Sequence, residues 1–314
     1  MTPQALLDAI ATMTLPPDAQ RLFHGRGGMF PGYEQWALDW YPPVLLLTSY
    51  QPVSEEELAP IQAALAARWA ELMPDQPVNL VFQHRNEVRA DTRVLSGAVP
   101  DPHVVSEQGA QFKVHLLRGF NHGLFLDMGE GRRWVREHVA QACTTSHRYK
   151  VLNLFAYTCA FSVVAMQAGA RQGINVDMAA GALSIGKQNH HLNGITSDVS
   201  FLPHDIFSSW GKITRSGPYD LIILDPPTYQ KGSFVAEKDY ARLMRRLPDL
   251  LMPGGHALLC LNSPKLGPGF LQDLMAVEAP ELRFVERVAN PAAFADVAED
   301  RALKVLVYRA PDLS

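Results

Sequence analysis

LIILDPPTYQKG, residues Leu221 to Gly232, is the stretch from which the fold can be read outward. Four apolar residues run into Asp225, and Pro226, Pro227, Thr228 and Tyr229 follow. A short apolar run bounded by turn signals predicts a strand buried inside a sheet. Asp225 then stands at the strand's C-terminal tip, the side on which open α/β sheets bind their ligands. Each proline fixes its own φ and pushes the residue before it out of the helical region. Asp225 to Thr228 is therefore expected to form a rigid, extended ledge that can hold a flat group in one place.

Around that strand the chain alternates. From Val151, VLNLF precedes a helical CAFSVVAMQAG, and INVDM precedes a helical GALSIGKQNHHLN. VSFLPHD comes next, then LIILDPP with a helix over Asp239 to Leu250. HALLCLN follows Gly254-Gly255, and a helix over Phe270 to Ala276 follows that. LRFVERVA and ALKVLVYRA close the series, joined by a segment too short for a helical crossover, which predicts an antiparallel pair. The alternation predicts an α/β architecture with a mostly parallel sheet covered on both faces. Seven strands ending in an antiparallel pair resemble the class I methyltransferase (Rossmann-like) fold. Upstream, YPPVLLLTSY, PVNLVFQHR and FKVHLLRGF read as strands around one helix, SEEELAPIQAALAARWAELM, opened by a Ser54-x-x-Glu57 capping box. The expected division is a helical segment over 1–20, a small α+β domain over 21–115, and the main domain over 116–314.

The bulk numbers agree with that organisation. The chain has 314 residues, 47% apolar and 19% charged, which suits a soluble globular protein of one large or two ordinary domains. Its longest apolar runs are strand-sized, so no membrane partner is expected, and the N-terminus lacks the basic and apolar regions of a signal peptide. Cys143, Cys159 and Cys260 are odd in number and widely spaced, which fits a reduced, cytoplasmic setting and excludes a cysteine-based zinc site. No metal is expected. A net charge of −4 is not a nucleic-acid footprint, although local stripes matter more than totals. The Arg118–Lys150 segment is one such stripe, and it reads equally well as a solvated helix face.

Three strand tips carry carboxylates. The first strand ends in NLFAYTCAFS, Asn153 to Ser162, without the glycines that bring a backbone against a pyrophosphate, so NAD and FAD are disfavoured. Asp177 ends the second strand, where a carboxylate can accept bonds from both ribose hydroxyls of an adenosine. Asp205 ends the third and can take an adenine amine; Asp225 ends the fourth. Each alone reads as a helix cap, but three at successive tips, each with a desolvation cost, point to an adenosine-type cofactor without phosphates.

These residues also carry a family resemblance. NLFAYT, VDMAAGAL with KQNHHLNG, the HD of LPHDIF, LDPPTY and GGHALLCLNSPKLG resemble the methyltransferase domain of bacterial large-subunit rRNA methyltransferases. That family has a cytosine-C5 and a guanine-N7 branch. GLFLDMGEGRRWV resembles its LFLD element, which lies over the cofactor. The resemblance spans roughly residues 110–310 and implies S-adenosyl-L-methionine as cofactor and RNA, of ribosomal origin, as partner. It places Asn153, Phe155, Ala156, Tyr157 and Thr158 along the methionine and ribose, Asp177 on the ribose and Met178 on adenine. Asp205 then binds the adenine amine, Ile206 flanks the ring, and Asp127, Arg132 and Asp225 complete the cofactor site. Two departures stand out: Cys159 and Gly129 replace a glycine and an arginine usual in the family.

The choice of base turns on chemistry. Cytosine C5 is not nucleophilic and needs covalent attack by a cysteine. Where the C5 branch has that cysteine, this chain has Asn262; Cys260 lies two residues earlier, inside a strand. A ring nitrogen needs only orientation and close approach. Asp225, Pro226, Pro227, Tyr229 and Asn262 are thus the candidate catalytic residues, with Tyr229 stacking on a flipped base. The DPPT ledge and Asn262 loop resemble the guanine-N7 branch. Cytosine-C5 activity, a small-molecule or protein methyltransferase, and a non-catalytic binder are the alternatives. In the small domain, RLFHGRGGMFPGYEQWALDWYPP reads either as an RNA-gripping loop or as a Gly-turned strand pair with core tryptophans. In a strand, Arg85, Arg89 and Arg93 would share one face with Glu87 and Asp91, which reads equally as a groove or a surface. The oligomeric state is left open.

Overall fold

The computed structural model describes residues 3–86, 89–230 and 234–312. Glu87, and Lys231 and Gly232 beyond the ledge, lie outside the described residues. Two compact units share the chain: Met1–Leu126 with Pro291–Ala298, and Asp127–Asn290 with Glu299–Ser314.

The first unit holds a five-stranded sheet of β1 (Gln20–His24), β2 (Trp36–Tyr41), β3 (Val44–Ser49), β4 (Leu80–Arg85) and β5 (Ala90–Ser96), in sequential order. Only β3 and β4 run parallel, and α2 (Glu55–Leu72) makes the crossover that a parallel pair requires. Ser54 and Glu57 form the expected capping box, each side chain accepting from the other's backbone N–H. Leu58, Ile61, Leu65 and Trp69 line one helical stripe and pack with Trp36, Trp40, Leu45, Leu47, Leu80 and Phe82. A separate hairpin pairs β6 (His103–Glu107) with β7 (Ala110–Val114).

Three expectations need correcting. The helical segment at the start is α1 (Gln4–Thr12), whose Leu6 and Ile10 are fully buried in the same core, so it belongs to the first unit. That unit runs to Leu126 rather than 115 and also takes back Pro291–Ala298. Gly27 explains the return, since an added Cβ there would lie 2.0 Å from the Ala295 carbonyl oxygen, and Val297 donates to the Gly27 carbonyl at 2.9 Å. Arg85, Arg89 and Arg93 do not share a strand, because Arg85 ends β4, Arg89 stands before β5, and Arg93 sits in β5 opposite Phe82. The glycine-rich stretch is a turned strand pair: β1 and β2 are antiparallel, Trp36 and Trp40 are core, and Arg21 forks onto Asp39 at 2.7 and 3.0 Å.

The second unit opens with α3 (Gly129–Cys143) and then alternates. β8 (Lys150–Leu154), α4 (Ala160–Gln167), β9 (Gln172–Val176), α5 (Ala180–Leu192), β10 (Val199–Leu202) and α6 (Trp210–Ser216) come first. β11 (Tyr219–Leu224), the short pair β12 (Tyr229–Gln230) and β13 (Phe234–Val235), α7 (Ala236–Met244) and α8 (Leu247–Leu250) follow. β14 (Leu251–Leu261), α9 (Pro268–Glu278), β15 (Arg283–Val288) and β16 (Lys304–Arg309) complete it. The seven-stranded order is β10-β9-β8-β11-β14-β16-β15. β16 is antiparallel to both neighbours, and the other pairings are parallel. The chain reverses its direction of travel across the sheet between β8 and β11, the switch point where such sheets open a crevice.

Side chains alternate across the sheet. Leu152, Leu154, Ile222, Leu224, Leu259 and Leu261 join Tyr240, Leu243, Leu271 and Met275 of α7 and α9 in one core. The helix expected over Asp239 to Leu250 is two helices, α7 and α8, with Pro248 in the first turn of the second, because proline starts a helix but does not continue one. Among the described residues no helix is long and apolar enough to cross a membrane.

Candidate active site at the strand tips

The loop after β8 is built against its own backbone preferences. Phe155, Tyr157 and Cys159 have φ of 59°, 48° and 62°, and none is glycine. A left-handed conformation costs a residue with a side chain about 1–2 kcal/mol, so three in five residues need support from outside. Asp177, just past β9, supplies part of it: Oδ2 accepts from the Tyr157 N–H and Oδ1 from the Ala179 N–H, both at 2.8 Å. The Ala156 N–H reaches the Val176 carbonyl at 3.1 Å. From α5, the buried Asn189 donates its amide to the Thr158 carbonyl at 3.0 Å.

Cys159 occupies the glycine-like position through a second compensation. An added Cβ on Gly186 of α5 would lie 2.4 Å from the Cys159 sulfur, so the bare helix backbone there is what makes room for the thiol. Behind the loop a buried polar chain ties the layers together. His190 donates from Nδ1 to the Gly186 carbonyl at 2.8 Å, which leaves Nε2 to accept from the Ser162 hydroxyl at 3.0 Å. Asn175 donates to Ser162 at 3.1 Å, and Asn153 to Asn175 at 3.0 Å. Burial pushes His190 down to about 4, which keeps the ring neutral in this arrangement. The Asn153 side chain thus lies inside the sheet–helix layer, 1% exposed, and not among the tip residues where the family resemblance placed it.

The remaining tip residues divide by exposure. Asp177 is half-buried and Met178 is 53% exposed, so this tip presents a carboxylate beside an open apolar side chain. Ala156 and Thr158 are buried, and Phe155 and Tyr157 are half-buried. Asp205 accepts from the Phe207 N–H at 3.0 Å. Ile206 is 3% exposed and folded into the core. The half-buried aromatic at this tip is Phe207, covered by the Arg242 guanidinium at 3.9 Å. Phe207, Asn189 and Gly186 were not singled out from sequence, since their partners lie far away along the chain.

The β11 tip gathers the other candidates. Pro226 is buried, Asp225 and Pro227 are half-buried, and Tyr229 stands 66% exposed at the end of the ledge. Thr228 donates its hydroxyl to the Asn262 carbonyl at 2.5 Å, and Asn262 donates its amide to Asp127 at 3.3 Å. The ledge, the loop after β14 and the segment before α3 are therefore one hydrogen-bonded unit. The buried Lys304 ammonium anchors that β14 loop by donating to the carbonyls of Ser263 and Asp300. Asp225 is held up to about 7, first by desolvation and then by the Asp127 carboxylate, against the pull of the buried Arg132. A carboxyl poised near neutrality at a strand tip, perturbed by burial and a named charge partner, marks a candidate functional site.

The cysteines have no comparable poise. Cys159 and Cys260 are fully buried, and burial holds both thiols well above their usual range. Cys143 is half-buried and also raised by burial. None matches the exposed, electropositive setting of a nucleophilic thiolate.

This topology, with carboxylates past the tips of β9, β10 and β11 and a poised acid beside the switch point, defines a class I methyltransferase scaffold. A family model described as S-adenosylmethionine-dependent methyltransferase matches residues 20–309, and the chain belongs to that family. It is 27% identical over 245 residues to the ribosomal RNA large subunit methyltransferase I of Aeromonas salmonicida, covering 76% of this chain and 60% of that protein. It is 38% identical over 186 residues to the methyltransferase K/L of a Psychrobacter species, covering 56% of this chain and 22% of that protein. The chain thus spans less than two thirds of the length of each of these two relatives. Among solved structures, a Streptococcus mutans chain classed as a SAM-dependent methyltransferase superposes with a TM-score of 0.80 at 22% identity, over 99% of this chain and 82% of that one. That likeness concerns the fold.

Proposed function

We propose that this chain methylates a base of large-subunit ribosomal RNA, at a ring nitrogen, with guanine N7 as the target. The observation that carries the choice is the β11 tip: a proline-stiffened ledge with an exposed Tyr229, tied to Asn262, with Cys159 and Cys260 of the same domain both fully buried. A nitrogen lone pair needs positioning, not covalent activation, and this tip is built for positioning.

The strand tips fit S-adenosylmethionine, which supplies an electrophilic methyl group. The Asp177 carboxylate uses one lone pair on each oxygen for backbone N–H groups, so a carboxylate's remaining acceptor sites suit two ribose hydroxyls. Met178 and Phe207 offer apolar contact to the adenine, and Asp205 accepts from its amine. Phe155 to Thr158 line the methionine side largely through backbone. Tyr229 stacks on the extruded base, and Asp225, when ionised, accepts from the guanine N1 or N2 hydrogens. Burial sets the proton affinity of Asp225, and Asp127 and Arg132 adjust it in opposite senses, while Asn262 and Thr228 lock the ledge. The names of the two rRNA methyltransferase relatives support the substrate class.

The test is transfer of tritium from labelled S-adenosylmethionine to ribosomal RNA from a strain lacking this gene, followed by nucleoside analysis. Label in 7-methylguanosine is the expected result. Label in 5-methylcytidine would put the chemistry on a cysteine, and Cys→Ala substitutions would then abolish it. Absence of label alongside tight cofactor binding would remove rRNA as the substrate.

A further inference from the structure

The first unit carries seven arginines between residues 21 and 118, and they fall into two sets. Arg21, Arg68 and Arg93 are paired with Asp39, Glu71 and Glu55. Arg26, Arg85, Arg89 and Arg118 have no carboxylate partner among the described residues. Two of these four lie on aromatic rings instead. Arg26 sits 4.1 Å from the Tyr50 ring centroid and Arg85 5.9 Å from the same ring, while Arg85 is also 5.2 Å from Phe120. The four side chains form an alternating series, Arg26–Tyr50–Arg85–Phe120, drawn from β1's following turn, the end of β3, the end of β4 and the loop after β7. Arg118 precedes Phe120 by two residues, and Arg89 stands just before β5, where its carbonyl accepts from the Asn86 N–H at 3.1 Å.

The series is held in place. The buried Gln83 of β4 donates to the Gly119 carbonyl at 3.1 Å, fixing the loop that presents Arg118 and Phe120. Gly119 has φ of 65°, a conformation suited to glycine, so the loop geometry is part of the design. Stacking on a ring orders a guanidinium without neutralising it, unlike pairing with a carboxylate. Arg26 is exposed, and Arg85, Tyr50 and Phe120 are half-buried.

We infer that this arginine–aromatic series is a docking surface for single-stranded RNA, with the arginines taking phosphates and the rings taking unstacked bases. An acidic protein would call for the charges but not for the interleaved rings, whereas single-stranded RNA uses both. The choice of partner rests on the proposed RNA substrate; the surface itself rests on the geometry above. Its local charge also reconciles an RNA partner with a chain whose net charge is −4.

The test is fluorescence anisotropy of the full chain with a labelled, mixed-sequence, single-stranded RNA of about 20 nucleotides, over a salt series. The double substitution Arg26→Ala with Arg85→Ala is expected to raise Kd about tenfold and to lower the log–log salt slope by about 1.4, two phosphates at roughly 0.7 each. Tyr50→Leu is expected to weaken binding about fivefold at unchanged slope, which a purely electrostatic surface would not show. Arg93→Ala, whose partner is Glu55, is the control that leaves both unchanged. Equal thermal melting and equal S-adenosylmethionine affinity by calorimetry exclude misfolding, and Arg85→Lys restores the slope if unfolding confounds the alanine variant. Parental Kd and slope in the double variant would overturn the surface, as would equal losses toward polyglutamate, which would make it an acidic-protein site. Patch-dependent RNA binding without rRNA methylation would sustain the surface and remove the proposed substrate; no RNA binding by the parent chain would remove both.

Discussion

The loop Phe155–Cys159 and the ledge Asp225–Tyr229 leave adjacent parallel strands, β8 and β11, and both are stiff, but the stiffness has different origins. Prolines at 226 and 227 restrict the ledge from within, in any context. The loop has no such residue. Its three left-handed positions are imposed by Asp177 on β9's extension and by Asn189 and the space above Gly186 on α5. The ledge is stiffened by its own composition and tied to Asn262 through Thr228, whereas the loop depends wholly on its neighbours. Damage at the exposed end of the ledge, Tyr229, should therefore stay local, whereas damage to either support of the loop should spread to cofactor binding and stability together.

Four experiments probe that contrast, in descending size of effect. Asp177→Ala removes both the support of the loop and the ribose acceptor, and S-adenosylmethionine Kd should rise about 100-fold by calorimetry, the worth of one or two charge-assisted bonds. An unchanged Kd would mean that the loop needs no partner. Tyr229→Ala should slow methyl transfer about 30-fold through lost stacking, at unchanged cofactor affinity. A matching loss of cofactor affinity would show that the ledge is not autonomous.

Gly186→Ala should cost about 2 kcal/mol in denaturant unfolding, because the added methyl meets the Cys159 sulfur. In a Cys159→Gly background most of that cost should vanish. Persistence of the full penalty would place the clash elsewhere.

The smallest effect concerns protons. With Asp225 at about 7, the rate at low substrate should rise about tenfold from pH 6 to pH 8 if its carboxylate accepts from the base, and this limb should be absent in Asp225→Asn. Stability should move the other way. The native carboxyl holds its proton to about 7 while the unfolded one loses it near the ordinary value of 3.8, so the parent loses stability as pH rises across that window. The melting temperature of Asp225→Asn should gain on the parent over the same interval, and parallel profiles would contradict the raised value.

The alternation of strands and helices was legible because each buried strand is a compact apolar run ending in turn residues, as LIILDPP shows. Asp177, Asp205 and Asp225 could be placed for the same reason: a carboxylate closing an apolar run has few places to be. The capping box at Ser54 was readable because both partners lie within four residues. What escaped were contacts whose partners are distant in the chain. Nothing near Asn189 announces a bond to Thr158, thirty-one residues earlier. Nothing near Gly27 signals the return of Ala295. Arg85, Arg89 and Arg93 fall on different elements because a four-residue spacing carries no sign of where one strand ends and the next begins. Asn153 was placed at the tips by its position next to them, but pleating sends its amide into the layer beneath.

The Cys159 thiol and the bare face of Gly186 also say something about descent. Side chains at both positions compete for one space, so the order of exchange matters. A route from this chain to one with alanine on the helix is less costly, by about 2 kcal/mol, when glycine in the loop comes first. The return is easier in the opposite sequence, which makes the pair a small bias on the history of the fold.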